Sequence, residues 1–442
     1  MPRTINPGAL PLLLAVLLFG WSGVSQAVPE IQNWRTDNGA GVYFVHAPEL
    51  PMVDVRVVFA AGASRDGEQL GVGVLTNALM SEGAAGMDAD TIAQRFDSVG
   101  ARFSNSALRD MSIFSLRSLM EPERLEQAVD TFADVLGEPE FPVDALNRER
   151  ARMLIALKRQ EQSPGEIAKK RFYTDLYGEH PYANPVLGTE ASLEQLDQEA
   201  IRAHYQRYYV ANNATVAIVG DIERDVAERL ANRITDRLAA GEPTQPLPAP
   251  EPLKADARAS LQHPSSQTHV WMGQLGVVRG AEDWFPLYVG NHILGGSGLV
   301  SRVAQEVREK RGLAYSASSR FSPMEARGPF ILSLQTANEN AEQALDVLSQ
   351  TLAEFVAEGP SDDEVDRAIK NITGGFPMDI DSNSEIASYI SMIGFYDMPL
   401  DYLDRFIERV SAVTPESIRE AFQRRVDPDS LLVVTVGRSD GG

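Results

Sequence analysis

The chain of 442 residues has no cysteine, so it can form no disulfide, offer no thiol nucleophile and build no thiolate metal site. Histidine is nearly as scarce. The six residues His46, His180, His204, His263, His269 and His292 are scattered, and no two share the one-turn spacing of a metal-binding helix face. The nearest pair, His263 and His269, is separated by a stretch opening with Pro264, Ser265 and Ser266, which argues against a helix between them. No G-x-S-x-G elbow occurs, which leaves a serine nucleophile without its usual turn. The glycine-rich stretch Gly295, Gly296, Ser297, Gly298 lacks the Lys-Ser/Thr ending of a phosphate loop and reads as a flexible turn or a peptide-facing loop. Positive charge is also in deficit: 40 Lys and Arg stand against 62 Asp and Glu, a formal net charge of −22. Such a surface repels a phosphate backbone, which excludes nucleic acid as a partner.

Long apolar runs are confined to residues 9–21, ALPLLLAVLLFGW. That run is shorter than the ~20 residues a membrane-spanning helix needs. With Arg3 before it and the small residues Ser25 and Ala27 after it, it reads as a secretory signal peptide over residues 1–27. Cleavage is expected after Ala27, giving an exported, periplasmic protein with no transmembrane segment in the mature chain. The remainder, with 43% hydrophobic and 23% charged residues overall, has the composition of a packed globular protein.

Two halves of that remainder repeat. NATVAIVGD (213–221) and SLLVVTVGR (430–438) are short β-branched runs closing on Val-Gly. At nearly the same offset, SVGARFSNS (98–106) parallels KRGLAYSAS (310–318), pairing Gly100 with Gly312. Each of these is followed by an alternating strand, SIFSLRSL (112–119) or PFILSLQT (329–336), and then by a long amphipathic helix, at 122–138 or 339–357. The proline-rich AGEPTQPLPAPEPL (240–253) reads as a linker between an N-terminal domain, 30–239, and a C-terminal domain, 254–438. Ser192 with Gln195 and Ser361 with Glu364 are spaced as capping boxes, and Thr414-Pro415 as an N-cap followed by a first-turn proline. The expected class is α+β: two homologous domains, each a mostly antiparallel sheet with helices packed on one face.

Taken residue by residue, the chain offers no catalytic constellation. Its order of motifs says more. VRVVFAAGASRD (55–66), GVGVLTNALMSEGA (71–84), YGEHPYANPVLGT (177–189) and ILGGSGLVSRVAQEVREKRGLAYS (293–316) resemble, in order, the signatures of the pitrilysin/insulinase family of inverted zinc metallopeptidases. The likeness runs from about residue 30 to residue 438. It implies a zinc site made by an H-x-x-E-H helix and a later glutamate. In this sequence the matching positions hold Val74 and Ala78 for the two histidines, Asn77 for the general-base glutamate and Ala156 for the third ligand. Valine and alanine have no lone pairs to give a metal, and an amide takes no proton from water at neutral pH. No metal is expected in this chain.

A second pair implied by the resemblance is present: Arg308 and, seven residues on, Tyr315, in the family an arginine and a tyrosine from the half opposite the zinc. From spacing alone, Arg308, Lys310 and Arg311 equally suit a solvated helix end. The resemblance implies instead a non-metal subunit whose zinc-binding homologue supplies the metal. Arg308 and Tyr315 would bind peptide and stabilise the oxyanion, and the glycines at 295–298 would line the cavity. The rival expectation is an inert peptide-binding or scaffold protein of the same fold.

Overall fold

The computed structural model describes residues 30–253 and 256–438; the signal peptide expected over residues 1–27 lies outside them. The first half supplies strands β1 (Gln32–Arg35), β2 (Gly41–His46), β3 (Met52–Phe59), β4 (Arg102–Ala107), β5 (Ser112–Leu119) and β6 (Ala214–Gly220). The second supplies β7 (Ala257–Gln262), β8 (Gln267–Leu275), β9 (Ala314–Phe321), β10 (Pro329–Ala337) and β11 (Leu432–Gly437). The first sheet runs β1-β2-β6-β3-β5-β4 and the second β7-β11-β8-β10-β9. Apart from the additional β1 the two orders are the same. In both, one parallel pair, β2 with β6 or β7 with β11, joins strands that are otherwise antiparallel. The repeat read from the sequence is therefore a repeat of topology. Its matched glycines, Gly100 and Gly312, both adopt left-handed φ, +70° and +64°, in the turn that enters the edge strand β4 or β9.

Four helices frame the functional positions: α1 (Val72–Leu79), α2 (Val143–Gln160), α3 (Pro164–Tyr177) and α4 (Asn383–Phe395). One face of the first sheet packs on helices of its own half. Val53, Val55, Val57 and Phe59 of β3 and Val216 and Ile218 of β6 meet Leu75 and Leu79 of α1 and Phe132 of the helix Pro122–Gly137. That is the expected arrangement. The opposite face is covered by a helix from the other half: Val45 of β2 and Ala217 and Val219 of β6 share a core with Ile386, Ile390 and Ile393 of α4. The loan is returned. Ala168, Phe172 and Leu176 of α3 pack on Leu432, Val434 and Val436 of β11, with the Phe172 ring 5.7 Å from that of Trp271. Covering on both faces explains why β6, ATVAIVG, is buried at every position instead of alternating.

Between the halves, residues 240–253 run without helix or strand. Arg65 fastens this segment, donating to the carbonyl of Gln245 at 2.8 Å and to both oxygens of Glu325 at 2.9 and 2.8 Å. Local signals were mostly realised. Ser361 caps its helix reciprocally with Glu364, and Thr414 caps one that starts at Pro415. The cap expected at Ser192 is corrected: Thr189 is the N-cap, and Ser192 is the third helical residue that bonds back to it. The threonine competes successfully because its hydroxyl reaches the N–H of Ser192 at 3.1 Å.

Gly394 marks the closest approach of α4 to the first sheet, since a Cβ there would lie 2.3 Å from the Tyr43 ring and 2.7 Å from Cγ2 of Thr215. Gly394→Val is expected to lower the unfolding free energy by about 1–3 kcal/mol through overpacking. Urea titration should show a smaller loss in a Tyr43→Ala background, where the ring is gone. Equal losses in both backgrounds would separate the effect from this contact.

Candidate functional site

Helix α1 carries the positions that correspond to the family's metal site. It starts at Gly71 with φ +90°, a conformation that favours glycine. Asp66 braces that start: its carboxylate accepts from the N–H of Gly71 at 2.6 Å and of Gly73 at 2.9 Å. Burial pushes its carboxyl up to about 7 against these two donors. Behind α1 lies the helix Gln198–Tyr208, whose His204 is buried. Burial takes this imidazole down to about 4, a backbone bond to Ala61 being the smaller, opposing influence.

Val74 and Ala78 of α1 and Ala156 of the adjoining α2 are partly exposed, so the surface they share is aliphatic. Asn77, in the general-base position, is turned inward to other work. Its amide donates to Oγ of Ser112 at 2.7 Å and to the carbonyl of Ser106 at 3.2 Å, and Ser112 in turn pairs with the Tyr209 hydroxyl at 2.8 Å. The acids nearby are engaged: Glu82 pairs with Arg148 at 2.8 Å, and Glu149 with Arg152. Among the described residues no group of three or more His, Cys, Asp or Glu side chains is placed to hold a metal ion. The residues at the family's zinc positions do not fit zinc.

Arg308 and Tyr315 come together. Arg308 lies in a wide helical turn, Gln305–Glu309, in which the N–H of Lys310 reaches back to the carbonyl of Gln305 at 2.9 Å. Such i→i+5 turns collect at functional sites. Tyr315 is the extra residue of a β-bulge in the edge strand β9, where pairing with β10 shifts between Ala314 and Ser316. The bulge turns the ring outward, 80% exposed, and the Arg308 guanidinium carbon sits 4.9 Å from its centroid. Lys310 and Arg311, the other members of the basic group, are held by Glu306.

The glycine-rich stretch is only partly a surface loop. His292–Gly296 forms another wide turn, in which Gly295 is buried against β9; a Cβ there would come 2.3 Å from the N–H nitrogen of Ser319. Gly295 thus serves close packing and is withdrawn as a ligand-facing residue. Gly296, Ser297 and Gly298, the last with φ +64°, reach the surface. Sequence reading missed Asp66 and the Asn77–Ser112–Tyr209 chain. An acid just ahead of a glycine-flanked helix start was the available signal for the first; the second joins segments too distant to have one.

Comparison with known proteins agrees with this geometry. Residues 42–190 match the family model described as insulinase (peptidase family M16), and residues 195–372 the model described as peptidase M16 inactive domain. The crystal structure of a peptidase M16 inactive domain from Pseudomonas fluorescens is 39% identical, with a TM-score of 0.90 over 92% of this chain and 98% of that one. The uncharacterized zinc protease YmxG of Bacillus subtilis is 24% identical over 91% of this chain and 98% of its own. The non-peptidase homolog YmxG of Helicobacter pylori is 24% identical over 88% of this chain and 89% of its own.

The buried imidazole behind α1 gives a pH signature. An ordinary histidine takes its proton near 6.5 and His204 only near 4, so between those values the unfolded chain binds more protons. Its contribution is intact above pH 6.5 and is lost as pH falls toward 4. Asp66, raised from 3.8 to about 7, acts in the opposite sense, its contribution falling as pH rises through that range. Comparing wild type with His204→Gln isolates the histidine. The stability advantage of wild type should shrink by about 3 kcal/mol between pH 6.5 and 4 in denaturant titrations, whereas a constant difference would mean that His204 titrates normally.

Proposed function

The chain belongs to the insulinase family, peptidase family M16, and is of its non-catalytic type; on that premise we propose that it is the non-metal subunit of an exported, heterodimeric zinc peptidase. A homologous partner carries the H-x-x-E-H site and its zinc, and this chain contributes Arg308 and Tyr315 to the hydrolysis of peptides. The observation that carries the reading is a contrast. Every position the metal site needs is taken by Val74, Asn77, Ala78 or Ala156, while Arg308 and Tyr315 remain as an adjacent, outward-facing pair. A ring left 80% exposed gains almost nothing from burial, so packing does not account for it.

The chemistry of the pair suits a carbonyl under attack. The Tyr315 hydroxyl donates a hydrogen bond to the oxyanion, and the guanidinium beside it keeps the ring in place and favours negative charge there. Among the described residues the outer edge of β9 has no strand partner, so an extended peptide can lie along it through backbone hydrogen bonds. Gly296, Ser297 and Gly298 stand at the surface of the same half and are assigned to peptide contact.

Reconstitution with the zinc-bearing partner tests the proposal. Tyr315→Phe should lower kcat by about 10²–10³ while complex formation, followed by sedimentation, is unchanged. Unchanged turnover would leave the inert scaffold, a reading favoured by the relative named a non-peptidase homolog. Independently, equilibrium dialysis of this chain alone against zinc should show no stoichiometric uptake, and one tightly held zinc per chain would overturn the division of labour.

A further inference from the structure

The face of the first sheet that α4 covers is covered only in part. Toward its end, Val58 and Ile113 are sealed by Phe395 and Tyr396. Toward β5 and β4 the same face turns polar and opens into a cleft of about 340 Å³, which is within the range of about 300–1,000 Å³ usual for small-molecule sites. Register makes the pattern explicit. Arg56 of β3 lies opposite Ser115 of β5, which lies opposite Ser104 of β4. In the next row Asp54 lies opposite Arg117, which lies opposite Arg102. Residues two apart on a strand share a face, so all six side chains point into one cleft. The far wall is α4, with Ser384, Glu385 and Ser388.

Three arginines on one sheet face are unusual in a chain of net charge −22, and their own half pairs only one of them with an acid. Arg117 gives only its Nε to Asp54, at 3.0 and 3.1 Å. Among the described residues neither Arg56 nor Arg102 has an ion-pair partner, and Nε of Arg56 is buried without an acceptor. A buried donor left unpaired is costly, and an acceptor entering the cleft removes that cost. Glu385 adds a negative charge at the rim, where its carboxylate accepts from the Ser382 hydroxyl at 2.7 Å; with Asp54 it leaves the three arginines in excess. Arg56 and Arg102 are separated by the width of β5, roughly 10 Å between their backbones. That spacing lets an anion with two or more charged groups place one against each.

We propose that this cleft is a binding site for a small multivalent anion, carrying two or more carboxylate or phosphate groups, gripped by Arg56, Arg102 and Arg117 between the two halves of the chain. The serines Ser104 and Ser115 supply hydroxyl donors between the guanidinium groups. Because the sheet belongs to one half and α4 to the other, a bound anion ties the halves together. The site is separate from Arg308 and Tyr315, and its occupancy does not depend on the peptidase reading.

Titration calorimetry and thermal unfolding of the full mature chain, with citrate and with pyrophosphate as probes, test this. Sodium chloride at matched ionic strength is the control. At least one probe should raise Tm above the chloride control and bind saturably, with affinity falling as salt rises; citrate alone would assign the site to carboxylates and pyrophosphate alone to phosphates. Arg102→Ala, at an exposed position without ion-pair partners among the described residues, should weaken binding by about tenfold or more while the Tm without ligand stays unchanged. Arg56→Gln, which keeps the stem and removes the charge, should do the same. The proposal is overturned if neither probe exceeds the chloride control, or if both variants bind as tightly as wild type.

Discussion

Each half of this molecule leaves one face of its sheet for the other half to cover. Without α4 from the second half, Val45, Ala217 and Val219 of the first sheet would face water; without α3 from the first, Leu432, Val434 and Val436 of the second would. Burying side chains of this kind is worth roughly 1.5–3 kcal/mol each relative to leaving them exposed, so neither sheet is a stable surface alone. The exchange makes two similar domains into one rigid frame. Everything functional hangs on that frame, from the α1–α2 surface to the bulge at Tyr315. It also decides which surface stays open, because a cleft remains between Ser384, Glu385 and Ser388 of α4 and the arginines on β3, β4 and β5.

The two family sites have followed opposite physical logic. At the metal positions stand Val74, Ala78 and Ala156, which offer a metal no lone pairs, and Asn77 is a strut between α1 and Ser112. These replacements serve stability. At Arg308 and Tyr315 the reverse holds: a wide helical turn, an edge-strand bulge and an exposed aromatic ring all cost order or burial. Such features suit use by something outside the fold, which is why the proposed chemistry lies with the pair and not with the helix α1.

Much of this was legible in the sequence, and for identifiable reasons. Local rules act over a few residues, so the alternating strands and the caps at Ser361 and Thr414 follow from nearest-neighbour chemistry. The duplicated order of elements was enough to give two sheets of one topology. The incompatibility of Val74, Asn77, Ala78 and Ala156 with zinc is a property of those side chains and needs no coordinates. The misreadings were also local contests settled by surroundings. Thr189 capped its helix ahead of Ser192, and Gly295 proved to be a packing glycine because Ser319 comes against it.

What the sequence could not contain was partnership across long separations. Alternation shows that a strand face is apolar but not which helix covers it, so the exchange of α3 and α4 was settled only by folding. In the same way, Arg56, Arg102 and Arg117 are ordinary strand residues until register sets three strands side by side and brings them onto one face. Composition and motif order by themselves determined the family, the repeat and the lack of zinc-binding side chains at the family's metal positions. Tertiary structure alone decided which surfaces are shared, because burial and electrostatic proximity depend on distances through space that no interval along the chain prescribes.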